Sequence, residues 1–509
     1  MKKKLATIKR VSLMTAATGM LVGTIAGCGT ADSPKASPGS STAPSATATA
    51  KKQVTVSIMV PQFTTEPIKP DSAAVKKIEE YTGVKLEMNW VVGAAYQEKL
   101  NATIASGTMP KVLTVTSNKE ANIVNGARSG MFWEIGGYLK DYPNLSKLNT
   151  QIVNNISIDG KLYGLPRTRP ISRQGIIFRK DWLDNLGLQP PKTTDDLYNI
   201  LQAFTNKDPD KNGKNDTFGL SDQGIAFNDL AIYFGAPNKW GVQAGKLIPD
   251  FTTPEYLEAM QFTKRLYSEK LMNQDFLIVK DGYVANINQG KAGVVVTSSV
   301  DGVTTALYAD LKKLNPNAVL DITTGLRGPK GEYSLGGAAF AGTLMFPKSS
   351  VKTEQDLKDM LQFFDKMTDQ TMIDLTLYGV EGHTYTLENG VPKINSDLYN
   401  NEINPLNQIM VKLGMFGPKK GDSPMETKWK QILVENEKKA VFDPTVPFIS
   451  QTFVEKGAQL DKQIQDARNK FIIGELDEAG WKSAIDTWRK NGGDKIAEEY
   501  SADYAKARK

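Results

Sequence analysis

The 509-residue chain has a single cysteine, Cys28, and a single histidine, His383. A single cysteine excludes an internal disulfide. Zinc sites are usually built from cysteine and histidine, and the chain has one of each. A histidine-dependent catalytic triad would have to converge on His383 alone. The sequence contains neither a Gly-x-Ser-x-Gly elbow nor a Gly-x4-Gly-Lys-Ser/Thr phosphate loop. These absences argue against the commonest hydrolase and nucleotide-binding chemistries.

Long apolar runs are also missing, except at the start of the chain. A basic stretch ends at Arg10, an apolar run covers residues 11–22, and Ile25-Ala26-Gly27 precedes Cys28. This order resembles a bacterial lipoprotein signal peptide over residues 1–27, with Cys28 as the lipidated residue. No later segment is long enough to cross a bilayer. We therefore expect attachment to the membrane by lipid alone, palmitate included; the alternative is an ordinary signal peptide with a coincidental cysteine.

The net charge of +6 and the pI near 8.9 come mostly from this leader. Five basic and no acidic residues precede Cys28, so removing them leaves 57 basic and 56 acidic residues. A nearly neutral mature chain gives no case for nucleic-acid binding. Residues 28–52 are rich in Ser, Thr, Ala and Pro and contain no large apolar side chain that could be buried. They are predicted to form a disordered tether spanning roughly 25–30 Å.

The remaining chain alternates strand and helix patterns, which predicts an α/β fold of open, mostly parallel sheets with helices on both faces. Predicted strands cover residues 54–60, 85–91, 111–115 and 292–297, the last apolar on both faces and therefore central. Predicted helices end at Gly83 and Gly107. In such sheets ligands bind beyond the carboxyl ends of the strands. The candidate ligand-binding residues there are Gln62, Phe63, Trp90, Ser117, Asn118 and Ser298, although loops are commonly polar for other reasons.

One loop has the spacing of a calcium site. Its side-chain oxygens occupy loop positions 1, 3, 5 and 9, with glycine at position 6 and the backbone carbonyl of Lys214 at position 7. Gly219 replaces the usual bidentate glutamate at position 12, so a structural Ca²⁺ rather than a sensor is expected. The alternative is an Asx-rich turn without metal. The predicted metal ligands are Asp208, Asp210, Asn212, Lys214 and Asp216.

Several segments together match the pattern of one known family. They are ASGTMP at 105–110, DGKLYGLP at 159–166, IFRKDWLDNLGL at 177–188, PKT at 191–193, the calcium-like loop with TFGL at 217–220, YGVEG at 378–382 with Tyr385, and FIIG at 471–474 with Trp481. In combination they resemble the lipoprotein branch of the family 1 extracellular solute-binding proteins, which are sugar receptors of ABC importers and include alginate-binding proteins. Two departures are Lys111, where the family often has aspartate, and Thr217, where alginate-binding members have an acidic residue.

The resemblance implies two α/β lobes of the type II periplasmic-binding-protein-like fold, joined by a hinge with the ligand cleft between them. The N lobe would comprise residues 53–168 and 341–400, and the C lobe residues 169–340 and 401–509. The resemblance also implies a monomeric receptor without catalysis, lipid-anchored on the extracellular face of the cell membrane. Its partners would be an oligosaccharide and the permease subunits of an ABC importer.

Sugar rings offer apolar C–H faces to aromatic side chains and hydroxyl edges to polar ones. We therefore expect Trp90 and Trp240 to stack on a sugar, although most such rings fill cores. Arg167 and Arg169, near the predicted hinge, suit a uronic acid; the alternative is that they bond to carbonyls or acids across the hinge. Alternative functions are a surface glycoside hydrolase using a carboxylate pair and a peptide-binding lipoprotein. Further ligand candidates are Tyr378, Glu381 and His383.

Overall fold

The computed structural model describes residues 53–64, 66–279, 282–304, 308–414 and 416–507. By internal contacts the chain divides into residues 1–52 and 53–509. The predicted signal peptide, the tether and Cys28 therefore lie outside the described residues. Within the described ranges no helix is both long enough and apolar enough to cross a membrane.

Two separate sheets organise the described chain. We call the first the N-lobe sheet and the second the C-lobe sheet. In spatial order the N-lobe sheet contains Lys85–Val92, Thr55–Gln62, Val112–Val115, Phe340–Met345 and Gly164–Thr168. The C-lobe sheet contains Leu320–Thr323, Gly175–Arg179, Ala292–Thr297 and Phe218–Leu220. The predicted strands are thus confirmed, including the central place of Ala292–Thr297.

The prediction of mostly parallel sheets is wrong, because both sheets are mixed. Phe340–Met345 runs antiparallel to both of its neighbours, and Gly175–Arg179 does the same in the C-lobe sheet. Each of these strands begins just after the chain has crossed from the other lobe. It therefore runs away from the hinge, whereas strands such as Gly164–Thr168 and Ala292–Thr297 end there. The crossings between lobes thus set the strand directions.

Helices cover the sheets, and their ends follow the sequence signals. Ser72 caps the first helix, and Gly83 and Gly107 end the first two helices in the left-handed conformation, as predicted. The helices of the N lobe are Ala73–Thr82, Gly93–Ser106, Ala121–Arg128, Thr150–Ile156, Glu354–Lys366, Gln370–Tyr378 and Ser396–Leu398. The others are Lys180–Leu186, Thr194–Asn206, Ala226–Phe234, Pro254–Ser268, Gly282–Asn288, Ala309–Leu314, Pro424–Glu437, Gln451–Ile472, Glu478–Trp488 and Asp494–Ala507.

Short two-stranded pairs complete the secondary structure. The hairpin that begins at Trp240 carries a predicted ligand residue, and the hairpin that begins at Tyr385 adjoins the candidate site. The pairs are Trp240–Gln243 with Lys246–Pro249, Tyr385–Glu388 with Val391–Ile394, Arg327–Gly328 with Gly331–Glu332, and Ser334–Leu335 with Ala440–Val441.

Each lobe has apolar layers on both faces of its sheet. Along Thr55–Gln62, alternate side chains enter different clusters: Val56 and Ile58 pack under Glu354–Lys366, and Met59 packs against Gly93–Ser106. In the C lobe, Ile176 and Ile177 likewise belong to opposite layers. The two cores are therefore built independently, which leaves the segments between them free to act as a hinge.

The chain passes between the lobes three times. The first crossing covers residues 169–174, after Gly164–Thr168, and the return precedes Phe340–Met345. The third crossing lies later than the predicted boundary at 400. Ile403 to Val411 still contribute to the N-lobe core, and the next residues buried in a C-lobe layer are Ile432 and Leu433. The apolar spacing after residue 400 keeps this segment on the N lobe.

Candidate ligand-binding site

A cavity of about 750 Å³ lies at the hinge, and residues of both lobes line it. We call it the hinge cavity. Thr168 ends an N-lobe strand and Tyr378 ends an N-lobe helix, whereas Leu433 belongs to the C-lobe core. Polar residues dominate the wall. They include Arg169, Arg173, Asp301, Asn400, Asn404, Asn407, Gln408, Lys412, Lys419, Lys420, Asp422, Glu426 and Lys430.

Arg167 does not line the cavity but bonds to a residue that does. Its side chain is only 3% exposed, and its guanidinium donates to the carbonyl oxygen of Ala341 at 2.6 Å and to Oε1 of Gln408. Burial, reinforced by the positive charge of Arg169, lowers the pKa of Arg167 to about 10. The prediction that Arg167 contacts the ligand is therefore corrected. Its side chain instead holds the cavity residue Gln408 and joins the strands Gly164–Thr168 and Phe340–Met345.

Arg169 and Arg173 both line the hinge cavity, but their partners differ. Arg173 forms a bidentate ion pair with Asp301, with distances of 2.9 Å from Nε and 2.6 Å from Nη2. Arg169 donates from Nη1 to the Thr168 carbonyl oxygen at 2.9 Å. Burial, and next the charge of Arg173, lowers the pKa of Arg169. Of the two, Arg169 is therefore the arginine available to a ligand.

Two lysines of the third crossing were missed by the sequence interpretation. Burial, followed by the charges of Arg169 and Lys419, lowers the pKa of Lys412 to about 8. Lys419 donates to the Leu377 carbonyl oxygen at 2.6 Å and lies 4.5 Å above the Tyr378 ring. Burial and the charge of Lys430 lower the pKa of Lys419 to about 8 as well. The available signal was a lysine-rich segment between two apolar ones.

The crossing segments are tied together at the cavity wall. The Thr168 hydroxyl donates to the carbonyl oxygen of Lys412 at 2.6 Å, and the backbone N–H of Lys412 lies 2.7 Å from the same hydroxyl. Thr168 leads into the first crossing and Lys412 into the third. This reciprocal contact holds Arg169 and Lys412 on adjacent parts of the wall.

Tyr378 lines the hinge cavity, and its ring lies 6.1 Å from that of Tyr385. Glu381 and His383 are exposed and do not line the cavity. His383 Nε2 lies 2.9 Å from Oε2 of Glu402. The predicted cluster is thus divided, because the turn after Gly379 carries Glu381 and His383 away from the wall.

The predicted residues at the carboxyl ends of the strands do not line the hinge cavity. Asn118 is buried and donates to the Ile156 carbonyl oxygen at 2.7 Å, so it stabilises the fold and is corrected as a ligand residue. Gln62 donates to the Thr64 carbonyl oxygen at 3.0 Å. Ser117 is half-buried, while Ser298 is exposed and Phe63 is 74% exposed.

The two tryptophans expected to stack on sugar pack against cores. Trp240 is 8% exposed, with its ring 5.2 Å from Tyr500 and 6.4 Å from Trp488. The prediction is corrected for Trp240, because its hairpin folds onto the C-terminal helices. Trp90 is half-buried against the N-lobe core, and its Nε1 atom is buried without a hydrogen-bond partner among the described residues.

The predicted calcium loop turns its polar side chains inward. Asp208 accepts hydrogen bonds from the backbone N–H groups of Asn212 and Gly213 at 3.0 and 2.9 Å. Nδ2 of Asn212 donates to Asp210 at 2.9 Å and to Asp216 at 3.2 Å. The hydrogen bond from Gly213 lowers the pKa of Asp208, and burial raises that of Asp210. The loop thus gathers two carboxylates around the side-chain amide of Asn212 and a third against its backbone N–H.

Two further observations concern metal binding at this loop. Within the described ranges, no group of three or more His, Cys, Asp or Glu side chains is spaced to hold a metal ion. Lys214 is exposed, and its backbone N–H donates to Oδ1 of Asn212 at 2.7 Å. The Asn212 amide nitrogen thus lies between the Asp210 and Asp216 carboxylates, whose charge a cation could also balance.

Comparison with known proteins gives a consistent assignment. A family model described as bacterial extracellular solute-binding protein matches residues 64–370. Lipoprotein LipO of Bacillus subtilis is 39% identical over 464 residues, which cover 88% of this chain and 92% of LipO. The polygalacturonan/rhamnogalacturonan-binding protein YtcQ of the same organism is 39% identical over 451 residues, covering 86% and 89% of the two chains.

Among solved structures, an HMO-binding solute-binding protein associated with an ABC transporter, from Bifidobacterium longum infantis, superposes with a TM-score of 0.68. It covers 89% of this chain and 99% of its own, at 20% sequence identity. At that identity the likeness shows the fold. The two sheets and the crossings between them are therefore a two-lobed arrangement shared with a protein of known structure.

Proposed function

Since the chain belongs to the family of bacterial extracellular solute-binding proteins, we propose that its hinge cavity holds an oligosaccharide for delivery to an ABC importer. The family consists of substrate-binding receptors of ABC transporters, so the protein is a receptor and not an enzyme. The proposal of an oligosaccharide ligand rests on the composition of the cavity wall. Amide, hydroxyl and charged groups surround a volume of about 750 Å³, and the Tyr378 ring offers an apolar face.

Ligand binding should stabilise the full-length protein without changing the ligand. At a hundredfold excess over Kd, binding to the folded state alone adds about 2.7 kcal/mol to the free energy of unfolding. A thermal-shift screen should include pectic fragments, because the similar protein YtcQ is named as a polygalacturonan/rhamnogalacturonan binder. Small-angle scattering with a stabilising ligand should show a smaller radius of gyration as the lobes close.

Two control measurements make this screen decisive. Product analysis by mass spectrometry should show the oligosaccharide intact, and its turnover would contradict the receptor assignment. A peptide library should give no thermal shift under the same conditions. A shift with peptides and none with any oligosaccharide would replace the proposed ligand class by the peptide alternative.

We further propose a location and partners that agree with this function. The lipids on Cys28, palmitate among them, would hold a monomeric receptor at the extracellular face of the cell membrane. The tether of residues 28–52 would let it reach the permease subunits of the importer. The support is the leader sequence, the extracellular character of the family and the similarity to a lipoprotein.

We also propose that the loop of Asp208, Asp210, Asn212, Lys214 and Asp216 binds a structural Ca²⁺. The converging carboxylates support this, because a hard divalent cation relieves their repulsion and accepts oxygen ligands at flexible angles. For Asn212 to coordinate the ion, its amide would present Oδ1 in place of Nδ2. Since the loop follows the buried helix Thr194–Asn206, a bound ion would fix the exit of that helix.

Removing calcium with a chelator is expected to lower Tm by a few degrees and to leave oligosaccharide affinity unchanged. None of the loop residues lines the hinge cavity, so the effect should be confined to stability. Calorimetry of chelator-treated protein should show heat on adding Ca²⁺, and Asp208→Ala should abolish it. Asp184→Ala, which removes an exposed aspartate from a surface ion pair, is the matched control. Absence of calcium heat at millimolar concentration would reduce the loop to an Asx-rich turn.

A further inference from the structure

The charges around the hinge cavity do not balance. Its wall carries six cationic side chains, Arg169, Arg173, Lys412, Lys419, Lys420 and Lys430, but three carboxylates, Asp301, Asp422 and Glu426. Two carboxylates are already engaged, since Asp301 binds Arg173 and Asp422 binds Lys430. Oε2 of Glu426 accepts the Ser423 backbone N–H at the start of its own helix. Within the described part of the chain, Arg169, Lys412 and Lys419 have no carboxylate in an ion pair.

These three cations are held charged at a cost. Burial lowers the pKa of all three groups, and the charges of Arg169 and Lys419 lower that of Lys412 further. Burying like charges together is unfavourable unless an opposite charge enters the site. The ammonium group of Lys412 has no hydrogen-bond partner in the described ranges, although the side chain is half-buried. A cluster of this kind in a cavity is typical of a binding site for an anion.

Other groups on the wall are suited to a sugar rather than to a bare ion. Oδ1 of Asn407 and Nε1 of Trp429 are buried and lack hydrogen-bond partners among the described residues, which is unfavourable for an empty site. They are an acceptor and a donor for sugar hydroxyls. Tyr378 lies directly below the Lys419 ammonium, so an aromatic face and a positive charge are adjacent.

We propose that the hinge cavity binds an oligosaccharide whose rings carry carboxylates, that is, a chain of uronic acids. Arg169 presents a planar fork that fits a carboxylate, and Lys412 and Lys419 supply two further positive charges on the same wall. Tyr378 covers a ring face, and Asn407 and Trp429 bind hydroxyl groups. This proposal rests on the proposed function and specifies the class of sugar.

Isothermal calorimetry can test the charge directly by using two ligands with the same backbone. Trigalacturonic acid carries three carboxylates, and its full methyl ester carries none. Full-length protein in detergent should bind the acid at least a hundredfold more tightly than the ester. Lys412→Met should weaken binding of the acid by about thirtyfold, the usual loss when one partner of a buried charge pair is removed, and leave the ester unaffected.

Three variants make this test specific to the site. Lys412→Arg should restore most of the affinity for the acid, and Lys419→Met should reproduce the loss. Lys348→Met is the matched control, because Lys348 also lies above an aromatic ring, Trp133, but outside the cavity. It should bind the acid as the unchanged protein does. A circular dichroism spectrum identical to that of the unchanged protein would show that each variant is folded.

The possible failures are distinguishable. Equal affinity for acid and ester, or an unchanged affinity for the acid in both Lys412→Met and Lys419→Met, would overturn the carboxylate proposal while the receptor function stands. Binding of neutral galactan oligosaccharides alone would have the same meaning. No binding of any acidic or neutral oligosaccharide would overturn the proposed function and the uronic-acid site with it.

Discussion

Replacing Cys28 with alanine is expected to move nearly all of the protein from the membrane fraction to the medium, unless processing of the precursor is blocked. The reason is that the lipids on Cys28 are the proposed means of attachment. Beyond the leader the sequence has no apolar run of spanning length, and the described residues contain no helix that could cross a bilayer. Each buried CH₂ group of a lipid chain contributes about 0.8 kcal/mol, and stable anchoring takes two or more chains.

Cell fractionation with immunoblotting measures the change, and labelling with radioactive palmitate shows whether the lipid is present. The matched control combines Cys28→Ala with Ser33→Cys. This variant restores the number of cysteines but places the thiol outside Ile25-Ala26-Gly27, so it should stay unlabelled and unanchored. Retention of Cys28→Ala in the membrane in normal amounts, or labelling of the Ser33→Cys variant, would contradict the proposed anchor.

The fold was predictable where a local signal has one structural solution. Alternating apolar residues gave the strands, and Gly83 and Gly107 ended their helices because glycine adopts the left-handed conformation without strain. Strand direction was not predictable in this way, since it depends on where the chain crosses between lobes. The third crossing was placed too early because Ile403 and its apolar successors return to the N-lobe core, a long-range contact that no local pattern encodes.

The candidate site was predicted less completely for the same reason. Tyr378 and Arg169, two of the predicted ligand residues, line the hinge cavity, but Trp240 packs into a core formed with helices more than 200 residues later in the sequence. An aromatic residue in a polar segment looks the same whether a ligand or another helix covers it. Lys412 and Lys419 were missed because a lysine is normally interpreted as solvent-exposed. Only the packing around them reveals that they are partly buried and close to other cations.

The proposed uronic-acid site would couple the ligand to the hinge. Arg169 belongs to the first crossing, and Lys412 lies at the start of the third, joined through the reciprocal contact of Thr168 with the Lys412 backbone. The charge of Arg169 disfavours the charged form of Lys412. A carboxylate bound between them would replace this repulsion by attraction on both crossings. Binding of an acidic sugar would therefore act on the segments that connect the lobes.

The affinity for trigalacturonic acid is accordingly expected to fall by roughly tenfold for each pH unit above 8, and more steeply if both lysines contribute. Lys412 and Lys419 have pKa values of about 8, so both are largely charged at pH 7 and neutral at pH 9.5. Burial is the largest cause of both low values, and the charges of Arg169 and Lys419 lower the pKa of Lys412 further. The charge of Lys430 also lowers the pKa of Lys419, whereas Asp422 and Glu426 raise it. A bound carboxylate favours the charged lysines and raises their pKa, so binding near pH 8 should take up protons.

The stability of the free protein should change with pH in the opposite direction. These lysines have lower pKa values when folded than the ordinary 10.5, so the unfolded chain binds more protons between pH 8 and 10.5. Their contribution to the free energy of unfolding therefore rises with pH across this window, while affinity for the acid falls.

Lys119 is the matched control, because burial also lowers its pKa to about 8 but it lies outside the cavity. Thermal unfolding and calorimetry are to be measured from pH 6.5 to 9.5. Lys119→Met should alter the pH dependence of stability only, whereas Lys412→Met should flatten the pH dependence of the affinity for the acid. An affinity that is independent of pH in the unchanged protein would remove these lysines from the binding site.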